Sequence, residues 1–363
     1  MEQILNAAFI GCGAIAQKKH LPISKADCHI HIKMLYDRNI RAAEYCKTEF
    51  GSKDTVIAKD VEEIFASSTI DLVFIGTPNS THAKYAVSAL ESGKHVICEK
   101  PMAVSSEEAK RMLLASQKYK KMLHISYQNR YTKQAQYAKR LFEEGVISDI
   151  YYAKAYALRR RALPTWGACL DQNIQGGGPL IDIGSHSIDL ALWLSGCERL
   201  CYAAGMTYRQ IAKRGSRANL WGEWDVDEIS IEDSAFGFVM MENGMTLSVE
   251  TAYALNTDKE LEASVDLFGA DAGIVLRETE GIRLIHETGG RMCVTSDKLD
   301  ETRRSLTPRG HVMTPAEAEH EAFMKWLLEG KVYDPGVEQA FMTVQIVEGI
   351  YRSAMQKEPV YFS

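Results

Sequence analysis

The chain has 363 residues, 46% apolar and 25% charged, a balance that suits ordinary globular domains and excludes a mainly disordered or collagen-like chain. Its length exceeds what one hydrophobic core usually serves, so two domains are expected. With 42 lysines and arginines against 48 aspartates and glutamates, the net charge of −6 offers no overall positive field, and neither nucleic acid nor an anionic membrane is expected as a partner.

Ile4 to Ile10 is an apolar run enriched in strand formers that stops at Gly11-Cys12-Gly13-Ala14-Ile15-Ala16. Glycines at the first and third places and alanine at the sixth permit a tight turn, a close approach of backbone to a pyrophosphate, and close packing of the next helix, whose N-terminal N–H groups would face the phosphates. The same spacing occurs in purely structural strand-to-helix turns, so context has to decide. A second apolar stretch, His31 to Tyr36, ends in Asp37, 26 residues beyond Gly11. A carboxylate there can accept both ribose hydroxyls of an adenosine and repel a 2′-phosphate, which favours NAD over NADP, while Arg38 leaves some tolerance for the phosphate.

Helical periodicity from Ile40 to Phe50 ends at Gly51, and Leu72 to Ile75 is a short apolar strand running into Gly76-Thr77-Pro78-Asn79. His82 to Ser92 is helical and capped by Gly93, and His95 to Cys98 is another strand, followed by Glu99-Lys100-Pro101. A helix from about Ser105 to Tyr119 opens with a Ser105, Glu108 capping box, and residues 123 to 126 add a strand. This alternation predicts an α/β fold, a Rossmann-type doubly wound parallel sheet over residues 1–128. Ligands of such sheets sit at the carboxyl ends of the strands, where the Gly11 turn, Asp37, the Thr77-Pro78-Asn79 turn and Glu99-Lys100-Pro101 all fall.

From Ile150 the pattern changes to strands at 150–158, 200–208, 233–241, 245–254, 262–268, 272–278, 281–287 and 291–296, with Glu242-Asn243-Gly244 as a hairpin signal. One strong helix runs from Pro179 to Ser195 with Gly196 as its cap, and two more close the chain near 315–329 and 335–356. Residues 129–363 are therefore expected to form an α+β domain with a large open, mainly antiparallel sheet. A sheet of that kind commonly buries one face against a partner, which predicts a homo-oligomer.

The eight cysteines are scattered without a CxxC pair, which fits neither a zinc ribbon nor a disulfide framework, and no metal site is expected. No window approaches the roughly 18 apolar residues of a membrane span, and the N-terminus lacks a basic stretch followed by a long apolar run, so a cytoplasmic location is expected.

Two segments could carry chemistry. At Glu99-Lys100-Pro101 the proline ends the sheet and a lysine points toward the cofactor groove, where an oxidised nicotinamide would lower its pKa by like charge; a plain surface lysine is the alternative. In Gly176-Gly177-Gly178-Pro179-Leu180-Ile181-Asp182-Ile183-Gly184-Ser185-His186-Ser187-Ile188-Asp189, the glycines allow a backbone path with little steric restriction, and Asp182, His186 and Asp189 share one stripe of the helix. Oxidising an alcohol requires a group that removes the hydroxyl proton while hydride leaves the same carbon, and histidine is best matched to neutral pH, with a nearby carboxylate to orient it.

Taken in order, Gly11-x-Gly13-x-x-Ala16, Thr77-Pro78-Asn79 with His82, Glu99-Lys100-Pro101 and the triglycine-to-His186 segment resemble the Gfo/Idh/MocA oxidoreductases over essentially the whole chain. The resemblance implies a Rossmann domain followed by an α/β domain whose open sheet often mediates homodimers or homotetramers, with substrate held between the domains. It implies Lys100 as the active-site lysine, Asp182 as the substrate-side aspartate and His186 as the proton acceptor. The positions expected to line NAD are Gly11, Gly13, Ala14, Ile15, Ala16, Asp37, Arg38, Thr77, Pro78, Asn79, His82, Glu99, Lys100 and Gln128. The usual reaction is oxidation of a secondary hydroxyl of a sugar or cyclitol, or reduction of the matching ketone. Similar proteins also include NAD-dependent glycosidases that work by transient oxidation and elimination, and a sugar and dinucleotide sensor on the same fold is a third reading. For substrate, Arg159 and Trp166 stand out beside Asp182 and His186: an indole can stack on a pyranose face and arginine can bind hydroxyls or anions, the alternative being that Trp166 fills a core gap and Arg159-Arg160-Arg161 cover a solvated edge.

Overall fold

A computed structural model describes residues 3–277, 280–297, 312–331, 334 and 336–362. Residues 278 and 335, at the ends of two predicted elements, lie outside the described residues. The chain forms two compact units, one holding residues up to Ser126 and again Ala316–Phe341, the other beginning at Tyr127 and resuming at Met342.

In the first unit six strands, β1 (Leu5–Ile10), β2 (Ile30–Tyr36), β3 (Val56–Ile57), β4 (Leu72–Ile75), β5 (His95–Glu99) and β6 (Leu123–Ser126), form one parallel sheet in the order β3-β2-β1-β4-β5-β6. Every residue of β4 and β6 is buried, as parallel strands covered on both faces require. The strand order reverses between β1 and β4, which is where a doubly wound sheet opens a crevice. Helices Ile40–Phe50, His82–Glu91 and Ser106–Tyr119 lie within a residue or so of the sequence reading, and Ser105 caps the last through its side chain, which accepts from the Glu108 N–H. The segment after the glycine turn departs from a plain helix: Ala16–His20 is a π-helical turn, continued by a short α-helix at Leu21–Ala26. The sequence reading misses β3 and helix Val61–Ala66, both too short to show periodicity. It also places all of 129–363 in the second domain, whereas Phe323, Met324 and Leu327 of helix Pro315–Leu328 complete the first core with Leu5, Phe9 and Phe74.

The second unit holds β7 (Tyr152–Leu158), β8 (Leu200–Tyr208), β9 (Ser234–Met241), β10 (Thr246–Ala252), β11 (Leu261–Phe268), β12 (Ala272–Arg277), β13 (Gly281–Thr288), β14 (Arg291–Asp297) and β15 (Val360–Tyr361). They make one mixed sheet, β14-β13-β12-β11-β7-β10-β9-β8-β15, antiparallel except where β10 runs parallel to β7. The Glu242-Asn243-Gly244 turn joins β9 to β10 as expected, with Gly244 at φ +87°. Alternate strand residues such as Ala153, Ala155, Leu247, Val249, Val265 and Leu267 point into one core. Helices Lys133–Glu143 and Ser185–Ser195 and the later turns of Gly336–Gln356 cover that face with residues such as Ala138, Ile188, Leu192 and Ile346.

Candidate active site

In the first unit the glycine turn meets the turn after β4 at the point where strand order reverses. Gly11 has φ +99°, and a Cβ there would stand 2.5 Å from the Gly76 carbonyl oxygen, so only glycine fits. Gly13 is different: a Cβ there would meet nothing within 4 Å, and Gly13, Ala14 and Ile15 are exposed, leaving the open backbone that a pyrophosphate needs. Asp37 directly follows β2 and is half-buried. Its Oδ2 accepts the Cys12 N–H at 2.7 Å and its Oδ1 the Asn39 N–H at 2.7 Å, so one carboxylate ties the turn to the strand while each oxygen keeps a second lone pair for a ribose hydroxyl. Arg38 is exposed beside it. The residues present therefore fit a dinucleotide at this strand edge.

Two of the predicted cofactor contacts, His82 and Glu99, are buried and brace the turns around them. The His82 ring lies between the Pro101 carbonyl (2.8 Å) and the Thr77 carbonyl (2.9 Å), joining the turns after β4 and β5, and burial pushes its pKa down. Glu99 faces inward. Its Oε1 accepts from Lys19 Nζ at 3.0 Å and pairs with His20 Nε2 at 2.7 Å, and its Oε2 accepts the Lys100 N–H at 3.3 Å. Burial opposes its charge, but Lys19 and His20 hold its carboxyl well below the usual range. Lys19 also reaches Ser126 Oγ (2.7 Å) and Glu319 Oε2 (3.2 Å), and His124 lies between Asp334 (2.5 Å) and Glu319 (3.4 Å). This network anchors the end of β5, and Lys100, half-buried, follows directly on the anchored residue.

In the second unit Gly176 uses its conformational freedom, at φ +84° in the left-handed region, while the next two glycines serve close approach. A Cβ on Gly177 would stand 2.1 Å from Tyr351 Oη, and one on Gly178 2.3 Å from the Glu232 carbonyl oxygen. Buried Glu232 accepts the Gly178 N–H at 2.8 Å, the Leu180 N–H at 3.2 Å and the Tyr351 hydroxyl at 2.7 Å, which satisfies the start of the helix. Burial raises its pKa. The helix begins as a π-helical turn, Leu180–Gly184, before Ser185–Ser195 continues as α-helix to Gly196 in the left-handed region. Asp182 and His186 are both half-buried, while their neighbours Ile181, Ile183, Ser185 and Ser187 are buried.

Asp182 Oδ2 accepts a short hydrogen bond from Tyr253 Oη, a phenol 2% exposed whose pKa burial and then Asp182 drive well above 10. The Arg159 guanidinium lies over the Tyr253 ring at 5.7 Å and over the Trp221 ring at 5.5 Å, and is bound through Nε and Nη2 to Glu262. Trp166 is half exposed and meets Trp221 edge to face at 4.7 Å, so it does not fill a core gap. Arg161 is spent on the Arg160 and Leu255 carbonyls and Asn256. His186 stands at 6.0 Å, edge-on, from the buried Tyr127 ring. Asp189 is held by Arg130 in a two-point ion pair. Gln128 begins the short turn Gln128–Tyr131 and is half-buried. Tyr253, Glu232 and Trp221 escape sequence reading because each meets its partner across more than 50 residues and carries no local pattern.

Comparison with known proteins agrees with this architecture. The family model described as "Oxidoreductase family, NAD-binding Rossmann fold" matches residues 5–127, and that described as "Oxidoreductase family, C-terminal alpha/beta domain" matches residues 139–362. D-glucoside 3-dehydrogenase of Escherichia coli is 29% identical over 350 residues, covering 96% of this chain and 95% of that protein. Levoglucosan dehydrogenase of Pseudarthrobacter phenanthrenivorans is 27% identical over 357 residues, covering 90% and 88%. A solved structure of levoglucosan dehydrogenase with NADH and levoglucosan superimposes with a TM-score of 0.82 at 23% identity, over 99% of each chain.

Proposed function

The chain belongs to the Gfo/Idh/MocA oxidoreductase family, and from that premise we propose that this NAD(H)-dependent oxidoreductase oxidises a secondary hydroxyl of a sugar or cyclitol, or reduces the matching ketone, using Lys100, Asp182 and His186. The relatives named for a D-glucoside, levoglucosan and scyllo-inositol support that substrate class. The observation that carries the residue assignment is the pairing of Asp182 and His186 one turn apart on a helix whose start is locked by Glu232, with Asp182 held by Tyr253.

NAD supplies the hydride acceptor. The glycine turn would receive the pyrophosphate, with Gly13 leaving the space, and Asp37 the adenosine ribose. His186 takes the hydroxyl proton at a ring nitrogen, Asp182 fixes the substrate hydroxyls beside it, and the Lys100 ammonium steadies the developing carbonyl oxygen. His82 and Glu99 hold the turns after β4 and β5, the second of which carries Lys100.

His186→Ala and Lys100→Ala should each lower turnover by at least ~100-fold while NAD affinity stays within a few-fold. Product analysis with a panel of sugars, inositols and glycosides accompanies the NADH measurement. Near-normal turnover in either variant removes that residue from the mechanism, and glycoside cleavage without NADH would move the protein to redox-assisted hydrolysis.

Two further assignments belong to this reading. None of the eight cysteines is joined in a disulfide, which suits the reducing cytoplasm, and among the described residues no helix is long and apolar enough to cross a membrane. A homodimer or homotetramer is assigned on the apolar outer face of the second sheet, where Met206, Tyr208, Phe238 and Tyr361 are exposed.

A further inference from the structure

We propose that Trp166, Trp221 and Arg159 form a second carbohydrate subsite that receives the aglycone or neighbouring ring of a neutral glycoside, so that the preferred substrate is a glycoside rather than a free monosaccharide or cyclitol. The inference rests on the reading that Asp182 faces the sugar carbon being oxidised.

Three observations carry it. The first is continuity. Asp182 is bound by Tyr253, Arg159 lies over the Tyr253 ring at 5.7 Å and over the Trp221 ring at 5.5 Å, and Trp221 touches Trp166 at 4.7 Å. One guanidinium and one phenol thus link the indole pair to the carboxylate by direct contacts.

The second is the gradient of exposure along this series. Tyr253 is 2% exposed, Trp221 37% and Trp166 52%. The indoles meet at 82°, making a corner with one aromatic wall and one edge rather than a closed core contact. A pyranose or aryl ring has the matching chemistry, with C–H or π surface for the indole and any hydroxyls for the arginine. Thr165 Oγ1, bonded to the Trp221 carbonyl at 2.6 Å, ties the Trp166 segment to the Trp221 segment and fixes the corner.

The third is charge. Arg159 is neutralised by Glu262 through Nε and Nη2, and the same guanidinium faces two aromatic rings. A cation already paired in this way gives little extra attraction to a carboxylate or phosphate, so the subsite selects neutral glycosides over sugar acids and sugar phosphates.

The test uses the NADH-loaded protein for calorimetric binding and the NAD-loaded protein for turnover, with 4-nitrophenyl glucosides, methyl glucosides, glucose and glucose 6-phosphate as probes. The wild type should bind 4-nitrophenyl glucoside at least about tenfold more tightly than glucose, and glucose 6-phosphate no more tightly than glucose. Trp166→Ala should reduce that aryl-over-glucose ratio about tenfold, with Trp221→Phe and Arg159→Lys as milder variants in case truncation disturbs folding. A merely structural loss would lower affinity for both ligands and leave the ratio intact, which would overturn the proposal, as would a wild type that prefers glucose or its phosphate. Binding decides the subsite even where no probe turns over. Turnover of Asp182→Asn decides the catalytic reading separately, since undiminished rates there would displace Asp182 while leaving the binding ratios to stand or fall on their own.

Discussion

A phenol that donates to a carboxylate fixes its position, and at Asp182 that phenol is Tyr253, itself buried and overlaid by Arg159. Tyr253→Phe keeps the packing and removes one hydrogen bond to a charged group. Turnover should fall about tenfold or more while KM changes by no more than about threefold, read by steady-state kinetics beside a melting curve. An equal loss of melting temperature with unchanged turnover would reduce Tyr253 to a packing residue. At the other ligand, Asp37→Ser should relax the preference of kcat/KM for NAD over NADP, and an unchanged cofactor ratio would sink the ribose assignment. Legibility differs sharply among these residues. Asp37, Lys100, Asp182 and His186 announce themselves through motif spacing. Tyr253 and Glu232 do not, because nothing near position 253 or 232 indicates that the chain will bring them to the helix at 178–189. Glu99 and His82 show the converse: they belong to recognisable motifs, yet serve by holding turns from beneath.

Helix Pro315–Leu328 is attached to the first sheet by charge as well as by apolar packing, since Glu319 meets Lys19 and His124 inside the core and His320 reaches Asp27 at 2.9 Å. Burial opposes each charge, and the partners reverse it: His124 is lifted from 6.5 to about 9 by Asp334 and Glu319, and Glu319 is lowered from 4.5 to about 2 by Lys19 and His124. The histidine contributes stability that is complete below pH 6.5 and lost as pH rises through about 9. The carboxylate contributes stability present above pH 4.5 and lost as pH falls through about 2. The network is therefore at full strength between these limits. Melting temperature should decline by a few degrees between pH 6.5 and 9, and His124→Gln should flatten that decline while lowering stability at pH 6. A wild-type curve as flat as the variant's would remove His124 from the linkage. The helix itself was legible to within a residue; its attachment was not, because amphipathic periodicity says that a face is buried but not against which sheet. The triglycine is a similar case, its glycines readable but the cause of the last two, Tyr351 and Glu232 pressing on Gly177 and Gly178, visible only in three dimensions.

At the scale of the whole chain the alternation of strand and helix, and then the run of strands, sufficed for two different sheets. The return of residues 316–341 to the first unit did not show, since a change of partner leaves no mark on composition. What the pattern did imply is an open sheet with apolar residues to spare. On the outer face of β8 and β9, Ala204 stands opposite Phe238 and Met206 opposite Phe236, and Tyr361 of β15 continues the row beside Tyr202. Phe238 is 44% exposed and Tyr361 73%. An aromatic strip of this kind in contact with water is costly, and a two-fold axis through the strip would bury it against its own copy. Placing carboxylates there, as Phe238→Glu with Met206→Glu, opposes like charges across such an axis without touching the inner core. Light scattering should then show a wild-type dimer or tetramer and a smaller species for the double variant, with circular dichroism unchanged. A wild type that is monomeric at micromolar concentration, or a double variant that keeps its size, would require the strip to have another use.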